Sequence, residues 1–310
     1  MTQRYRIGID LGGTKIEAAA LDAAGQARAG RRIATPKADY GGTIRAVADL
    51  VAALEAEIGA RATVGVGIPG TIVAHTGLVK NANSTWLIGR PLQRDLETAL
   101  GRPVRCANDA NCFALSEAVD GAAAGCDVVF AVILGTGVGG GIVVGGRLLA
   151  GVNAIAGEWG HNPLPWPRPD ELPGPRCYCG RMGCVETFLS GPGLAADHRR
   201  HGGGDRDGPS IVAGAAAGDT ACRATLDRHA ERLARGLASV INVLDPDAIV
   251  LGGGLSALPH LYAQVPVLWR PYVFSDEVVT KLLPPTHGDA SGVRGAAWLW
   301  RPDEIDGGLP

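Results

Sequence analysis

No run of the 310 residues approaches the ~20 consecutive apolar positions that carry a helix across a bilayer; the longest strongly apolar stretch, VVFAVIL at 128–134, has only a strand's length. Positive charge is not in excess either. Lys and Arg number 29 against 31 Asp and Glu, a net charge of −2, so neither nucleic acid nor a membrane surface is an expected partner. The amino end, MTQRYRIGID, turns into a strand pattern within a few residues and leaves no room for the apolar core and cleavage site of a secretory signal, so a cytoplasmic location is expected. Two nucleotide-binding patterns are missing as well. There is no G-x-x-x-x-G-K-[ST], and the one G-x-G-x-x-G, GTGVGG at 135–140, leads into apolar GIVV rather than into a helix.

What is present is 46% hydrophobic and 19% charged, a soluble globular composition over a length that suits two lobes with a cleft between them. Residues 5–21 read as strand, glycine turn DLGGTK and second strand, a hairpin with an open tip. The same layout returns at 128–149, about 120 residues later, which suggests a duplicated unit. Helical periodicity covers about 43–58 and about 91–100, ATVGVGIPG reads as a buried strand, and DAIVLGGGLS is a strand running into glycines. VRCANDANCFALSEAV is a strand end followed by a helix with Asn108 or Asp109 as its N-cap. Strands alternating with helices predict an α/β fold, and the carboxyl tail RPDEIDGGLP is expected to fray.

A glycine turn after a strand lets backbone N–H groups approach phosphate oxygens with no side chain between them. Alone, each such turn is as readily a plain tight hairpin. Three of them, Gly12–Lys15, Gly135–Gly141 and Gly252–Gly254, are candidates to converge on one nucleotide at the lobe boundary. Gly12, Gly13, Gly135, Thr136, Gly137, Gly253 and Gly254 are the positions concerned. Asp10, at the end of the first strand, has the hard oxygen donors that Mg²⁺ prefers. Thr14 and Lys15 offer further donors for phosphate, although Lys15 pointing into solvent is an equal reading.

Three cysteines crowd into CYCGRMGCVE at 177–186 with spacing C-x-C-x4-C. A disulfide is disfavoured in a reducing compartment and strained across C-x-C. With His161, sixteen residues upstream, Cys177, Cys179 and Cys184 make a Cys3His set suited to structural zinc. Cys106, Cys112, Cys126 and Cys222 read as small buried hydrophobes. Such a metal would tie Glu186 to the segment carrying Glu158 and His161, so that both glutamates and the second ring nitrogen of His161 face a polyhydroxylated ligand.

Taken in order, DLGGTK, NDAN (108–111), GTGVGGG, GEWGH (157–161) and CYCGRMGCVE resemble the ROK family of bacterial sugar kinases and related repressors, over nearly the whole chain. KNANSTW (80–86), CANDANCFALSEAVDGAAAG and AGEWGHNPLPW are most similar to bacterial fructokinases, also called manno(fructo)kinases. The resemblance implies a two-lobed, actin-like (ribonuclease H-like) fold with duplicated lobes, ATP with Mg²⁺ in the cleft, structural zinc and a homodimer. The lobes would be 1–120, with a helix at about 290–303 packing back on it, and 121–289 with the zinc loop. Asp109 would be the catalytic base, with Asn108, Glu158, His161 and Glu186 holding the sugar and Pro69, Gly70, Asn81 and Asn83 completing its pocket. The implied reaction is phosphorylation of the primary 6-hydroxyl of a hexose, fructose first and mannose second. Glucose and N-acetylhexosamines are the alternatives, and a non-catalytic sugar sensor is the alternative of another class. A ROK repressor would need a DNA-binding helix-turn-helix before the first glycine turn, where only nine residues precede Asp10.

Overall fold

The computed structural model describes residues 4–301 and residue 304. Two five-stranded sheets share one topology. In the first, β1 (Arg6–Leu11), β2 (Lys15–Leu21) and β3 (Ala27–Ala34) form an antiparallel meander, and β4 (Thr63–Ile68) and β7 (Val104–Asn108) continue it in parallel, in the order β3-β2-β1-β4-β7. A small hairpin of β5 (Thr71–Ile72) and β6 (Val79–Lys80) stands apart from it. In the second sheet, β8 (Val128–Leu134), β9 (Val138–Val144), β10 (Arg147–Leu148), β11 (Ala248–Gly252) and β12 (Lys281–Leu283) run in the order β10-β9-β8-β11-β12, with β8, β11 and β12 parallel. Each sheet therefore begins with a glycine-tipped hairpin and ends in parallel strands. This is the repetition that the 120-residue spacing suggested.

Helices fill the crossovers: α1 (Tyr40–Ile58), α2 (Leu92–Leu100), α3 (Asp109–Val119), α4 (Glu186–Leu189), α5 (Gly191–Arg200), α6 (Gly208–Ala216), α7 (Thr220–Leu244), α8 (Pro259–Leu268) and α9 (Ser291–Trp298). Their ends follow local chemistry. Asp39 caps α1 by accepting from the Gly42 amide and Gly59 closes it in the left-handed region, while Asp219 caps α7 by accepting from Ala221 and Cys222. Among the described residues no helix is long and apolar enough to cross a membrane.

The chain divides into two compact units. One comprises the described residues up to 125, residues 141–156 and those from 286 onward; the other comprises 126–140 and 157–285. The sequence reading placed 141–156 with the second lobe, whereas here it groups with the first unit. The reason is visible at Gly141, where a Cβ would lie 2.7 Å from the Ala110 carbonyl and 2.8 Å from Ala114, so the chain runs directly against α3. The tail expected to fray lies outside the described residues apart from 301 and 304. The helix expected over about 290–303 is α9, and residues 302 and 303 also lie outside them.

In the first unit α9 touches its neighbours backbone to backbone. A Cβ on Gly8 of β1 would sit 1.9 Å from the Val293 carbonyl oxygen, one on Gly65 of β4 1.8 Å from that of Ala296, and one on Gly295 1.7 Å from that of Cys112. Glycine at these strand positions removes side chains that would hold the helix off the sheet. Arg6 is buried under the same helix, its Nε donating 2.8 Å to the Trp300 carbonyl and its guanidinium lying 4.5 Å over the Trp298 ring.

In the second unit a buried ionic knot ties the segment 162–176 to α7. Arg235 and Arg232 donate to Glu171 at 2.7 Å each, and Arg232 also donates 2.7 Å to Asp197. Burial alone would raise the Glu171 carboxyl, but the hydrogen bonds from Arg235 and Arg232 bring it down to about 2. Of the four cysteines expected to be buried, Cys112 and Cys222 are, whereas Cys106 and Cys126 are half-buried. Cys106 lies on the edge strand β7 and Cys126 on the loop before β8, and both positions leave one side open.

Gly65→Ala is expected to lower stability by about 1–3 kcal/mol, because the methyl group meets main chain and the helix must shift. A denaturant midpoint that matched the parent's would show that α9 is not seated as closely as this.

Candidate active site

Parallel pairing sets the first group of residues. The register aligns Asp10 with Gly67 across β1 and β4, and Ile68 with Asn108 across β4 and β7, so three carboxyl ends lie side by side. In parallel α/β sheets this edge is where ligands bind. It carries Asp10, then the Gly12–Lys15 turn, then Pro69–Gly70 and Asn108–Asp109. Gly70 rests on the Asn81 segment: a Cβ there would lie 2.7 Å from the Lys80 carbonyl oxygen and 3.0 Å from Ala82. Asn81 takes a left-handed φ of 55°, and both Asn81 and Asn83 are exposed.

Of the two capping candidates, Asn108 is the cap. Its side-chain oxygen accepts from the amides of Ala110 at 2.9 Å and Asn111 at 3.4 Å, and its amide NH2 is the side chain's remaining donor, facing the Asp109 carboxyl. Asp109 is the first residue of α3 and accepts from the Ala110 amide at 2.8 Å through one oxygen. Asp109 reaches solvent, yet the protein around its carboxyl desolvates it enough to raise its pKa, against the pull of that Ala110 hydrogen bond. Asp10 is more strongly perturbed: burial first, then the charge of Asp109, push it up to about 6, while Lys15 pulls the other way.

In the first glycine turn, the Gly12 amide donates 3.0 Å to the Lys15 carbonyl, Thr35 Oγ1 donates 2.7 Å to the Gly12 carbonyl and the Thr35 amide donates 3.0 Å to the Thr14 carbonyl. None of these bonds uses the amides of Gly13 or Thr14, which suit an anion. Lys15 does not extend into the turn. Its ammonium pairs with Glu17 at 3.3 Å, and Glu17 also accepts from Arg32 at 2.7 Å.

The second unit brings together the other two glycine turns. Gly253, at φ 79°, lies so close to the end of β8 that a Cβ would be 2.5 Å from the Leu134 carbonyl oxygen, which sets Gly253–Gly254 beside Gly135. Glu186 joins them. Its Oε2 accepts 2.9 Å from the Val138 amide, and a Cβ on Gly137 would lie 2.6 Å from the same oxygen, so a side chain there would push the carboxylate aside. Thr136 is exposed at the tip of this turn. GEWGH is held by Trp159, whose indole N–H donates 3.1 Å to the Gly139 carbonyl and whose ring meets Phe130 edge-on at 5.7 Å. Glu158 is exposed and directly precedes a single 3₁₀ turn, Trp159–His161.

His161, Cys177, Cys179 and Cys184 place their ligand atoms within 4.8 Å of one another. Cys177 Sγ lies 3.6 Å from His161 Nδ1, and Cys179 Sγ lies 3.6 Å from Cys184 Sγ. A tetrahedral zinc with its usual bond lengths needs edges of about 3.6 Å for sulfur to nitrogen and about 3.8 Å for sulfur to sulfur, so the donor set fits this ion. Backbone holds the cluster in shape, with Leu164 donating to the Gly183 carbonyl and Val185 to that of Asn162, both at 2.9 Å. Gly180 and Gly183 have φ of 90° and 70°, the left-handed turns that aim the thiols inward.

Two neighbours of these sites were not singled out by the sequence. Tyr178 places its hydroxyl 2.9 Å from His161 Nε2, the nitrogen that sequence reasoning had left free for a ligand. Ser84 is 1% exposed, its hydroxyl unpartnered among the described residues and 3.4 Å from where a Gly13 Cβ would be. Tyr178 sits inside the C-x-C pattern and Ser84 directly follows N-A-N, but no spacing rule distinguishes either one.

Elemental analysis of protein purified without added metal is expected to find about one zinc per chain, and Cys184→Ser to remove more than half of it and lower the melting temperature. Full stability with no bound zinc would reject the metal. Asp10 yields a pH test. Its folded pKa lies above the unfolded value of 3.8, so the folded chain holds this proton more tightly and the carboxylate costs stability as pH rises through about 6. In magnesium-free buffer Asp10→Asn is expected to raise the melting temperature at pH 8 and to change it little at pH 4. Equal shifts at both pH values would count against a buried charge.

The model of the ROK family matches residues 6–303. The N-acetyl-D-glucosamine kinase of Shigella boydii is 39% identical over 296 residues, covering 94% of this chain and 98% of that protein. The solved structure of a ROK hexokinase from Thermus thermophilus matches with a TM-score of 0.85 at 34% identity, covering 95% of this chain and 97% of the other. A ROK family glucokinase from Streptomyces griseus, solved with glucose and AMPPNP, matches with a TM-score of 0.73 at 29% identity, covering 95% and 98%. Together with the doubled sheet topology, these matches along nearly the whole length show that the chain belongs to the ROK family, with its two-lobed actin-like fold, and is an ATP-dependent sugar kinase.

Proposed function

We propose that this kinase transfers the γ-phosphoryl group of ATP to the primary 6-hydroxyl of N-acetylglucosamine. The observation that carries the choice of sugar is the 39% identity to an N-acetyl-D-glucosamine kinase over 94% of the chain. It favours an N-acetylhexosamine over fructose and mannose, the sugars expected from the sequence motifs. The chain's own groups suit a phosphoryl transfer. In that reaction the sugar oxygen forms a bond to the γ-phosphorus, the bond from that phosphorus to the bridging oxygen breaks, and ADP leaves. Asp109 accepts the hydroxyl proton, and its raised pKa makes it a better acceptor than an ordinary aspartate. The amides of Gly13 and Thr14, without a partner among the described residues, and the glycine turns at 135–137 and 253–254 donate to phosphate oxygens.

Magnesium, when bound with the nucleotide, supplies positive charge to those oxygens, and Asp10 is the side chain that would hold it. Asn108, Glu158, His161 and Glu186 take the remaining sugar hydroxyls, with Pro69, Gly70, Asn81 and Asn83 as walls. Zinc at the Cys3His cluster is architectural in this reading, since four protein ligands leave no open position for chemistry. Asp10, Asp109 and the glycine turns are more than a sensor that only binds sugar would need. A homodimer in the cytoplasm completes the proposal.

Turnover with MgATP is to be measured on N-acetylglucosamine, N-acetylmannosamine, glucose, mannose and fructose. The highest kcat/KM is expected for N-acetylglucosamine, and a higher value for fructose would overturn the sugar assignment. Asp109→Asn is expected to keep fold and zinc while losing about 10²–10⁴ in kcat; retained turnover would remove Asp109 from its role as base.

A further inference from the structure

The imidazole of His161 has two nitrogens and, in the proposed site, two tasks. Nδ1 points to Cys177 Sγ at 3.6 Å and belongs with the metal donors. With Nδ1 used in that way, the ring's hydrogen is on Nε2, which donates one hydrogen bond. In the structure that bond goes to Tyr178, whose hydroxyl lies 2.9 Å away. A sugar hydroxyl held by His161 would need the same hydrogen.

Tyr178 is poorly placed to be a permanent partner. The side chain is 83% exposed, so its hydrogen bond is made in competition with water and is weak. Its ring meets His161 edge-on, 5.1 Å between centroids at 87°, a contact that a rotation about χ1 releases. Gly180, with φ 90°, lies two residues further along the same loop. The phenol offers His161 a hydroxyl, the same kind of group that a sugar would present. The phenol therefore stands on His161, one of the side chains assigned to the sugar.

We propose that Tyr178 is a placeholder in the sugar site: its hydroxyl occupies the hydrogen-bonding position on His161 until a sugar hydroxyl displaces it. This rests on the assignment of His161 to the sugar. Binding then exchanges one hydroxyl for another at Nε2, and the affinity is reduced by what the tyrosine bond is worth. The ring swings away as the sugar enters, which makes Tyr178 a residue that sets affinity without taking part in phosphoryl transfer.

Tyr178→Phe keeps the ring and removes the competing hydroxyl. With the preferred sugar of the five-sugar panel, its KM is expected to fall about threefold, the size of a weak exposed hydrogen bond, with kcat, the KM for MgATP and zinc content unchanged. A KM that rises would mean that the hydroxyl holds the sugar, and one that stays the same would mean that it does not compete; either result overturns the placeholder. Loss of zinc in the variant would also overturn it, showing that the phenol serves to orient His161 for the metal. The underlying assignment fails separately, through wild-type protein that phosphorylates none of the five sugars or through His161→Asn protein that retains its sugar KM.

Discussion

Parallel hydrogen bonding between neighbouring strands is the constraint on which the candidate site depends. Because β1, β4 and β7 run the same way in fixed register, Asp10, Gly67 and Asn108 emerge along one edge although about 100 residues separate the first from the last. The second sheet repeats the device with β8 and β11, whose ends deliver Gly135 and Gly253 together. Parallel strands need crossovers, and the crossovers are where the helices and loops of the site arise.

Close approach is the second theme, and it accounts for several glycines at the helix and turn contacts. Gly8, Gly65 and Gly295 let α9 lie against β1, β4 and α3 with main chain touching main chain. Gly137 makes room for the Glu186 carboxylate, which accepts from the adjacent Val138 amide, and so couples a candidate phosphate turn to a candidate sugar ligand. The same residue type meets main chain in one place and a side-chain carboxylate in another. What differs is whether the neighbouring atom is a carbonyl of the core or the carboxylate of Glu186.

In the Cys3His cluster, both ring nitrogens of one histidine are engaged. Four donors at tetrahedral spacing require the loop 177–184 to fold back on His161, and backbone bonds from Leu164 and Val185 hold it there. The cost is borne by His161, with one nitrogen for the cluster and a single hydrogen for everything else. Tyr178 now stands on that hydrogen.

The sequence by itself determined the α/β class, the doubled hairpin, the Cys3His set and the run of Asn108 and Asp109 at a strand-to-helix junction. Each rests on short-range patterning: alternation, turn residues, and the spacing of ligands along the chain. Spacing cannot say which of two adjacent polar residues caps a helix, and the structure assigns Asn108 to that task, so the Asp109 carboxylate does not have to serve as the helix cap. Nor could it show that Lys15 pairs with Glu17, that residues 141–156 group with the first unit, or that Cys106 and Cys126 are half-buried. Those outcomes depend on partners distant in sequence and on which side of an element faces the core. Only tertiary packing decides them, because hydrogen bonds and desolvation act over a few ångströms of space, whatever the number of residues between the groups.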